Sequence, residues 1–348
     1  MKVLTLARGG SELPDGSYGW SDQEGLKIFY AKRWARPDFG PGILPVVGQL
    51  IAWAEVVHCY SVFGTLLPIL SVECARRKVP LILSPEGSLL PEARRSKGWK
   101  KRPYEALILR PALKHLARVV TASEPEARAI QAQFPDVPTS VVHNGVEFHE
   151  VLPALERGGP PYLIYLGRLH PYKRIEVIIE AFAGSAAKQG WELRIAGDGP
   201  TSYRLHLESV ARQLGVIDKV RLLGFLRPPA LAKALSGAEG LVMASRSEGF
   251  GMSVAEALAH GTPCVLARPT AWEEIEQRNC GFVANGTAES LASQIRALME
   301  VGEPARRAMG ASGREWMRQA YSWDMAASGF LEVYGQALRG RVACDFSS

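Results

Sequence analysis

Two carboxylates and two cations carry the chemistry open to this sequence. In Ser245-Arg-Ser-Glu-Gly-Phe-Gly-Met-Ser-Val-Ala-Glu256, Glu248 and Glu256 flank a glycine turn, Gly249-Phe250-Gly251. A helix-forming run from Met252 to His260 follows the turn, and a short apolar run, Gly240 to Ala244, precedes it. The pattern reads strand, glycine turn, helix. Such a turn exposes backbone N–H groups at a helix N-terminus, a natural seat for an anion. One carboxylate stands at the turn and the other two turns into the helix. The arrangement suits a phosphate held by the amides and hydroxyl groups held by the carboxylates, which points to a nucleotide sugar.

The cations lie upstream in Gly167-Arg168-Leu-His-Pro-Tyr-Lys173-Arg174. This stretch starts where a strand ends and runs into a helix, and ligands of open α/β sheets bind at the carboxyl ends of strands. Arginine offers a phosphate a bidentate fork, lysine a point charge. Each half alone has a plain alternative: solvated cations at a helix start, and carboxylates serving only as helix-start charge and solvated face. Placed at two strand ends of one sheet, they become two halves of a diphosphate site.

The elements that must position these residues are clearest in the second half of the chain. Apolar runs predict strands at 161–166, 191–196, 220–223, 240–244 and 262–266. Helical spacing covers 174–187, with Ile175, Ile178, Ile179 and Phe182 on one face, then 203–214 and 230–235. Strands alternating with helices imply a parallel sheet covered on both faces. The first half alternates less cleanly, with strands expected at 3–6, 26–30, 55–58, 80–83, 118–121 and 140–142. Helices fit 43–52, 65–77, 103–116 and 124–133. Breakers between Phe148 and Pro161 mark the boundary. The domains expected are residues 1–150 and 151–322, with a C-terminal helical segment over 323–348.

The motif order is Gly-Arg-Leu-x-Pro-x-Lys, Gly197-Asp-Gly-Pro200, Leu223-Gly224-Phe225, then Ser-Glu-Gly-Phe-Gly-x-Ser-x-x-Glu-Ala. It resembles the retaining glycosyltransferases of family 4. Asn144-Gly-Val146, Cys280-Gly-Phe282 and Tyr321-Ser-Trp-Asp324 extend the resemblance, which is dense from Val119 to Leu338 and thinner before. It implies the α/β GT-B fold, two facing Rossmann-like domains with parallel sheets and a C-terminal crossover helix. It implies that Arg168 and Lys173 neutralise the donor diphosphate and the leaving group. Glu256 is implied at the donor ribose and Glu248 at the transferred sugar. Gly249, Phe250, Gly251, Met252 and Ser253 are implied as the turn whose backbone meets sugar and phosphate, with Gly224 beside them. No metal or other cofactor is expected, and the chain has no D-x-D to hold one by the phosphates.

The N-terminal part departs from the family pattern twice. The strand 3–6 leads to Arg8-Gly9-Gly10, but the next residues do not begin a helix. The opening aligns with the family's second strand, or Gly9-Gly10 is a shortened form of its glycine loop. After the strand 80–83, relatives often carry histidine or arginine, whereas this chain has Glu86 in Ser84-Pro-Glu-Gly-Ser88. Glu86 is an acceptor-side base, a ligand for sugar hydroxyls, or an inactivating change. The activity expected is hexose transfer from a nucleoside-diphosphate sugar to a glycan or lipid-linked acceptor, in cell-surface polysaccharide or lipopolysaccharide synthesis. The alternative is a catalytically impaired GT-B protein acting as a partner or regulatory subunit.

Composition bounds the rest. The 348 residues suit two domains, and 47% apolar with 22% charged residues is ordinary for a globular protein. A net charge of +6 does not by itself argue for nucleic acid. Its five cysteines lack metal-ligand spacing and read as free thiols of a reducing compartment, the cytoplasm. A basic segment, Arg94 to Arg118, holds one acidic residue, Glu105, and carries Trp99 and Tyr104. It reads either as a solvated surface or as an element resting on an anionic membrane at its inner face. No recognition module for nucleic acid accompanies these charges.

Overall fold

The computed structural model describes residues 1–6, 19–23, 25–31, 43–60, 62–95, 98–148 and 159–345. The Gly9-Gly10 loop and most of the expected linker lie outside the described residues. The chain divides into two compact units, Met1–Val142 with Gly329–Ser348, and His143–Ser328.

The first unit holds two sheets. Strands β1 (Lys2–Leu6), β2 (Gly19–Gln23) and β3 (Leu26–Ala31) pair in the order β1-β3-β2, parallel and then antiparallel. Strands β4 (Val57–Tyr60), β5 (Leu81–Ser84), β6 (Leu116–Thr121) and β7 (Thr139–Val141) form a parallel sheet in sequence order. Leu81, Ile82 and Leu83 are fully buried, as an apolar run flanked by helices requires. The helix Trp323–Asp345 starts in the second unit; from Gly329 on it belongs to the first, where Val333 and Ala337 pack on Ile82, Val120 and Val142.

The second unit is one six-stranded parallel sheet. Its strands are β8 (Tyr162–Leu166), β9 (Glu192–Ala196), β10 (Val220–Gly224), β11 (Gly240–Met243), β12 (Cys264–Ala267) and β13 (Gly281–Ala284). Their order, β10-β9-β8-β11-β12-β13, turns around between β8 and β11. In open α/β sheets that switch point is where a crevice forms at the carboxyl ends. Helices Ile175–Ala183, Thr201–Gln213, Pro228–Ser236, Met252–Ala259 and Ala288–Glu300 alternate with the strands. Ile175, Ile178, Ile179 and Phe182 are all fully buried, the face their spacing predicts.

Elements beyond the sequence reading include β2, β13 and the helices Pro91–Arg95 and Ala288–Glu300. The helix Ala288–Glu300 had a legible signal. Leu291, Ile295 and Leu298 stand at i, i+4 and i+7 and are buried, and Thr287 caps the start by accepting from the Ser290 N–H at 3.2 Å. The single helix expected over 103–116 is corrected. The chain runs Gly98–Tyr104, then a π-helical stretch Glu105–Leu109, then Arg110–Leu113, and Leu116 already starts β6. Pro111 has no N–H for an α-helical bond, and the widened turn lies just before it.

Candidate active site at the ends of β8 and β11

The loops leaving β8, β9 and β10 are hooked to one another. The Gly167 N–H donates to the Ala196 carbonyl at 3.0 Å, Leu169 to Asp198 at 2.8 Å, and Gly197 to Gly224 at 2.8 Å. Gly197 has φ +146°, and a Cβ there would stand 1.8 Å from the Gly167 oxygen. A Cβ on Gly199 would stand 2.2 Å from the Leu169 oxygen. The glycines of Gly-Asp-Gly-Pro are therefore demanded by backbone packing against Gly167–Leu169. Tyr165, fully buried, donates its hydroxyl to the Arg168 carbonyl at 3.0 Å and fixes the loop from beneath. Burial pushes its phenol far up, so it stays neutral and a donor. The Arg168 side chain is exposed.

Lys173 ends a short 3-10 turn, Pro171–Lys173, capped by His170, whose Nδ1 accepts from the Tyr172 N–H at 3.1 Å. The next residue, Arg174, is left-handed at φ 53°, and its guanidinium donates to the Gly286 carbonyl at 2.9 Å. The loop after β11 is stitched to this turn, since the Arg246 N–H donates to the Tyr172 carbonyl at 3.0 Å. Lys173 Nζ and Glu248 Oε1 close an ion pair, with side chains only 18% and 16% exposed. The structure thus brings together one predicted cation and one predicted carboxylate. In the same loop, two residues past the end of β11, the Ser245 hydroxyl is buried without a hydrogen-bond partner.

The glycine turn feeds the helix Met252–Ala259 through Gly251, left-handed at φ +87°. No side chain caps this helix. The first amides of a helix have no acceptor within it, so the N–H groups of Met252 and Ser253 are the ones a ligand could satisfy. Glu256 lies on the same helix, half-buried, and desolvation pushes its carboxyl up from the usual range. Among the described residues no ion pair of its carboxylate is recorded.

Phe250 contributes backbone to the turn, while its ring is buried at 6% exposure. The ring centroid lies 5.0 Å from that of Trp272 and 5.8 Å from that of Tyr321. Trp272 Nε1 donates to the Phe250 carbonyl at 2.5 Å. The sequence reading passed over Trp272. A lone tryptophan in the loop after β12 belongs to no motif or period, so only the fold reveals it.

Glu86 stands in the other unit, after β5, and is described within that unit alone. It is left-handed at φ 51°, and burial pushes its carboxyl up. The next N–H, of Gly87, donates to Glu126 Oε1 at 2.5 Å, and Glu126 is fully buried. Among the described residues no group of three or more His, Cys, Asp or Glu side chains could hold a metal ion. Among them, too, no helix is long and apolar enough to cross a membrane.

Comparison with known proteins bears on the family and the fold. Residues 2–145 match the glycosyl transferase 4-like domain, and residues 152–316 match the glycosyl transferases group 1. A D-inositol 3-phosphate glycosyltransferase of Segniliparus rotundus is 33% identical over 184 residues, 51% of this chain and 40% of that protein. The lipopolysaccharide 1,6-galactosyltransferase of Salmonella typhimurium is 32% identical over 144 residues, 40% of this chain and 38% of its own length. The match thus spans less than half of either relative. Anabaena HepE, solved with UDP and glucose, superposes with a TM-score of 0.73 at 19% identity, covering 96% of this chain and 99% of that one. WaaG, a glycosyltransferase involved in lipopolysaccharide biosynthesis, gives 0.67 at 16% identity, covering 88% and 86%. These likenesses establish the GT-B class of α/β fold, and with both domain matches in their expected order the chain belongs to the glycosyl transferases group 1.

Proposed function

We propose that the protein is a retaining hexosyltransferase. It transfers a hexose from a nucleoside-diphosphate sugar to a glycan or lipid-linked saccharide in cell-surface polysaccharide or lipopolysaccharide synthesis. The observation that carries this reading is the Lys173–Glu248 pair beside an uncapped helix start, at the switch point of a parallel sheet.

When the bond from the sugar's anomeric carbon to the diphosphate breaks, negative charge grows on the departing oxygen. Lys173 and the exposed Arg168 supply fixed positive charge there, and the amides of Met252 and Ser253 supply oriented dipoles. Such preorganised groups need little rearrangement as the charge develops, which is why they lower the barrier. No metal is needed in this scheme. Glu256 accepts hydrogen bonds from the ribose hydroxyls and Glu248 from the transferred sugar, while Lys173 passes from Glu248 toward the phosphate. The new bond forms to an acceptor hydroxyl, whose proton leaves with the departing group or solvent. The HepE structures with UDP and with UDP-glucose support a uridine donor as the first to try.

The acceptor side of the proposal includes the inner face of a membrane. Arg95, Arg102, Arg110 and Lys114 are exposed, and Trp99 and Leu107 beside them are 76% and 77% exposed. Arg94 pairs with Glu105, the segment's one acidic residue, so the exposed cations face no local counter-charge within it. Cations with large apolar side chains among them suit an anionic lipid surface.

The test is a panel of UDP-, GDP- and ADP-sugars read by thermal stabilisation and by release of nucleotide. At least one donor raises the melting point and is slowly hydrolysed, because a ligand of the folded state alone stabilises it by mass action. A folded protein that is neither stabilised by any donor nor releases nucleotide from one overturns the proposal. The anomeric configuration of the product tests retention.

A further inference from the structure

We propose that Trp272 is a positioning residue for donor binding, holding the Phe250-Gly251 peptide so that the Gly251 N–H faces the ligand. This rests on the reading above, that the donor phosphates sit at the start of the helix Met252–Ala259.

Trp272 is 3% exposed and lies in the loop leaving β12, the strand beside β11. Its own backbone is anchored. The Trp272 N–H donates to Thr270 Oγ1 at 3.2 Å, and the Trp272 carbonyl accepts from the Ile275 N–H at 3.3 Å. The ring is wedged between Phe250, Trp316 and Tyr321, with centroids at 5.0, 5.5 and 5.0 Å. From this fixed seat the indole N–H reaches the Phe250 carbonyl at 2.5 Å. A planar trans peptide points its N–H opposite to its C=O. With the Phe250 oxygen turned inward to Trp272, the Gly251 N–H is turned away from the aromatic cluster, one residue before the helix begins at Met252. The room under the turn is also set by this ring, because a Cβ on Gly251 would stand 3.1 Å from Trp272 Nε1. A tryptophan present only to fill space would need none of this aim; its N–H would serve any nearby acceptor.

Trp272→Phe keeps an aromatic ring and removes the donor. Losing one partner of a buried hydrogen bond leaves the Phe250 carbonyl unsatisfied and frees the peptide to turn. The affinity for UDP, and for whichever donor sugar the wild type accepts, is measured by calorimetry, with KM and kcat for donor hydrolysis. The expected result is an affinity weakened ~5- to 100-fold, with donor KM rising more than kcat falls. Trp316→Phe is the control, since it disturbs the same cluster without touching the turn, and it leaves UDP affinity near wild type even where it lowers the melting point as much. If Trp272→Phe does not fold, the same measurements are made with Trp272 replaced by 3-benzothienylalanine, which keeps the bicyclic shape without the N–H. Wild-type affinity in the folded variant overturns the proposal, as does an equal loss in Trp316→Phe. A wild-type protein that binds no nucleotide at all overturns the underlying site reading instead.

Discussion

Lys173 and Glu248, 75 residues apart in the chain, close an ion pair between the turn that follows β8 and the loop that leaves β11. Both side chains are largely withdrawn from water, so each is the other's counter-charge, and removing one leaves the other poorly compensated. Removing the lysine costs twice: the phosphate loses a cation, and Glu248 is left as a half-buried anion facing that same phosphate. Lys173→Ala is therefore expected to lower kcat of donor cleavage by ~100- to 1000-fold, with a smaller change in donor KM. It also lowers the melting point, and Lys173→Ala with Glu248→Gln recovers part of that loss without recovering turnover. Steady-state kinetics and thermal unfolding of both variants check this; independent, additive effects of the two substitutions contradict it.

Glu256 is expected to act on binding more than on turnover. Hydrogen bonds from ribose hydroxyls to a carboxylate are charge-assisted, so Glu256→Ala raises donor KM ~10- to 100-fold. The pH dependence has a defined sign. Desolvation raises the carboxyl's pKa in the folded protein, so burial favours the protonated form. In the free protein this stabilises at low pH and is lost as pH rises through the folded-state pKa. Donor hydroxyls favour the charged form, so affinity falls as pH drops toward that raised pKa. Calorimetry between pH 5 and 8 should show this slope in the wild type and a flatter one in Glu256→Gln. Equal slopes remove Glu256 from the ribose.

How much of this site could be read in the chain depends on what made each residue recognisable. The placement of Lys173 and Glu248 at two strand ends was legible because charge at a strand end followed by a helix is a chemical pattern. The reason for Gly197 and Gly199 was not, because it is the approach of a second backbone, Gly167 to Leu169, from another part of the sequence. Trp272 was hidden for the same reason, its partner being a carbonyl 22 residues away. The parallel sheet of the second unit was legible because its central strands, β8, β11 and β12, are near-continuous apolar runs and helical spacing alternates with them. The strand Gly19–Gln23 was not, since Gly-Trp-Ser-Asp-Gln shows no apolar alternation and pairs only at an edge, with β3. The π-helical break in the helix expected over 103–116 was not legible, since apolar spacing does not register that Pro103 and Pro111 cannot donate a helical N–H.

In the first unit, His58 predicts an acid-labile clamp. Its Nδ1 meets the Tyr334 hydroxyl and its Nε2 the Ser84 hydroxyl, each at 2.9 Å, so both nitrogens of the ring are engaged between helix and sheet. Tyr60 stacks on the ring at 4.4 Å. Burial lowers the His58 pKa from 6.5 to about 4. The unfolded chain therefore takes up a proton that the folded one refuses. Stability contributed by this site is intact above about pH 6.5 and is lost as pH falls toward 4, by up to ~3 kcal/mol. Urea unfolding at pH 7.5 and pH 5 should show a larger drop for the wild type than for His58→Gln, the carboxylates common to both cancelling in the comparison. An equal drop would mean that His58 takes up its proton without penalty in the folded state.

The basic segment makes a prediction that separates a membrane surface from a solvated one. Trp99 and Leu107 are exposed beside Arg95, Arg102, Arg110 and Lys114, and Glu105 is occupied by Arg94. Each cation near an anionic surface contributes about 1 kcal/mol, and the two apolar side chains add burial at the headgroup boundary. Vesicles of phosphatidylglycerol mixed with phosphatidylcholine should pull the protein down on sedimentation, and pure phosphatidylcholine vesicles should not. Raising the salt should weaken the anionic case, because the attraction is screened. Reversing Arg102 and Arg110 to glutamate should abolish sedimentation while leaving hydrolysis of the soluble donor unchanged, since neither residue belongs to the donor site. Trp99→Ser should weaken binding without altering its salt dependence. If the charge-reversed protein still sediments with anionic vesicles, the contact lies elsewhere on the chain, and the exposed tryptophan and leucine are ordinary surface.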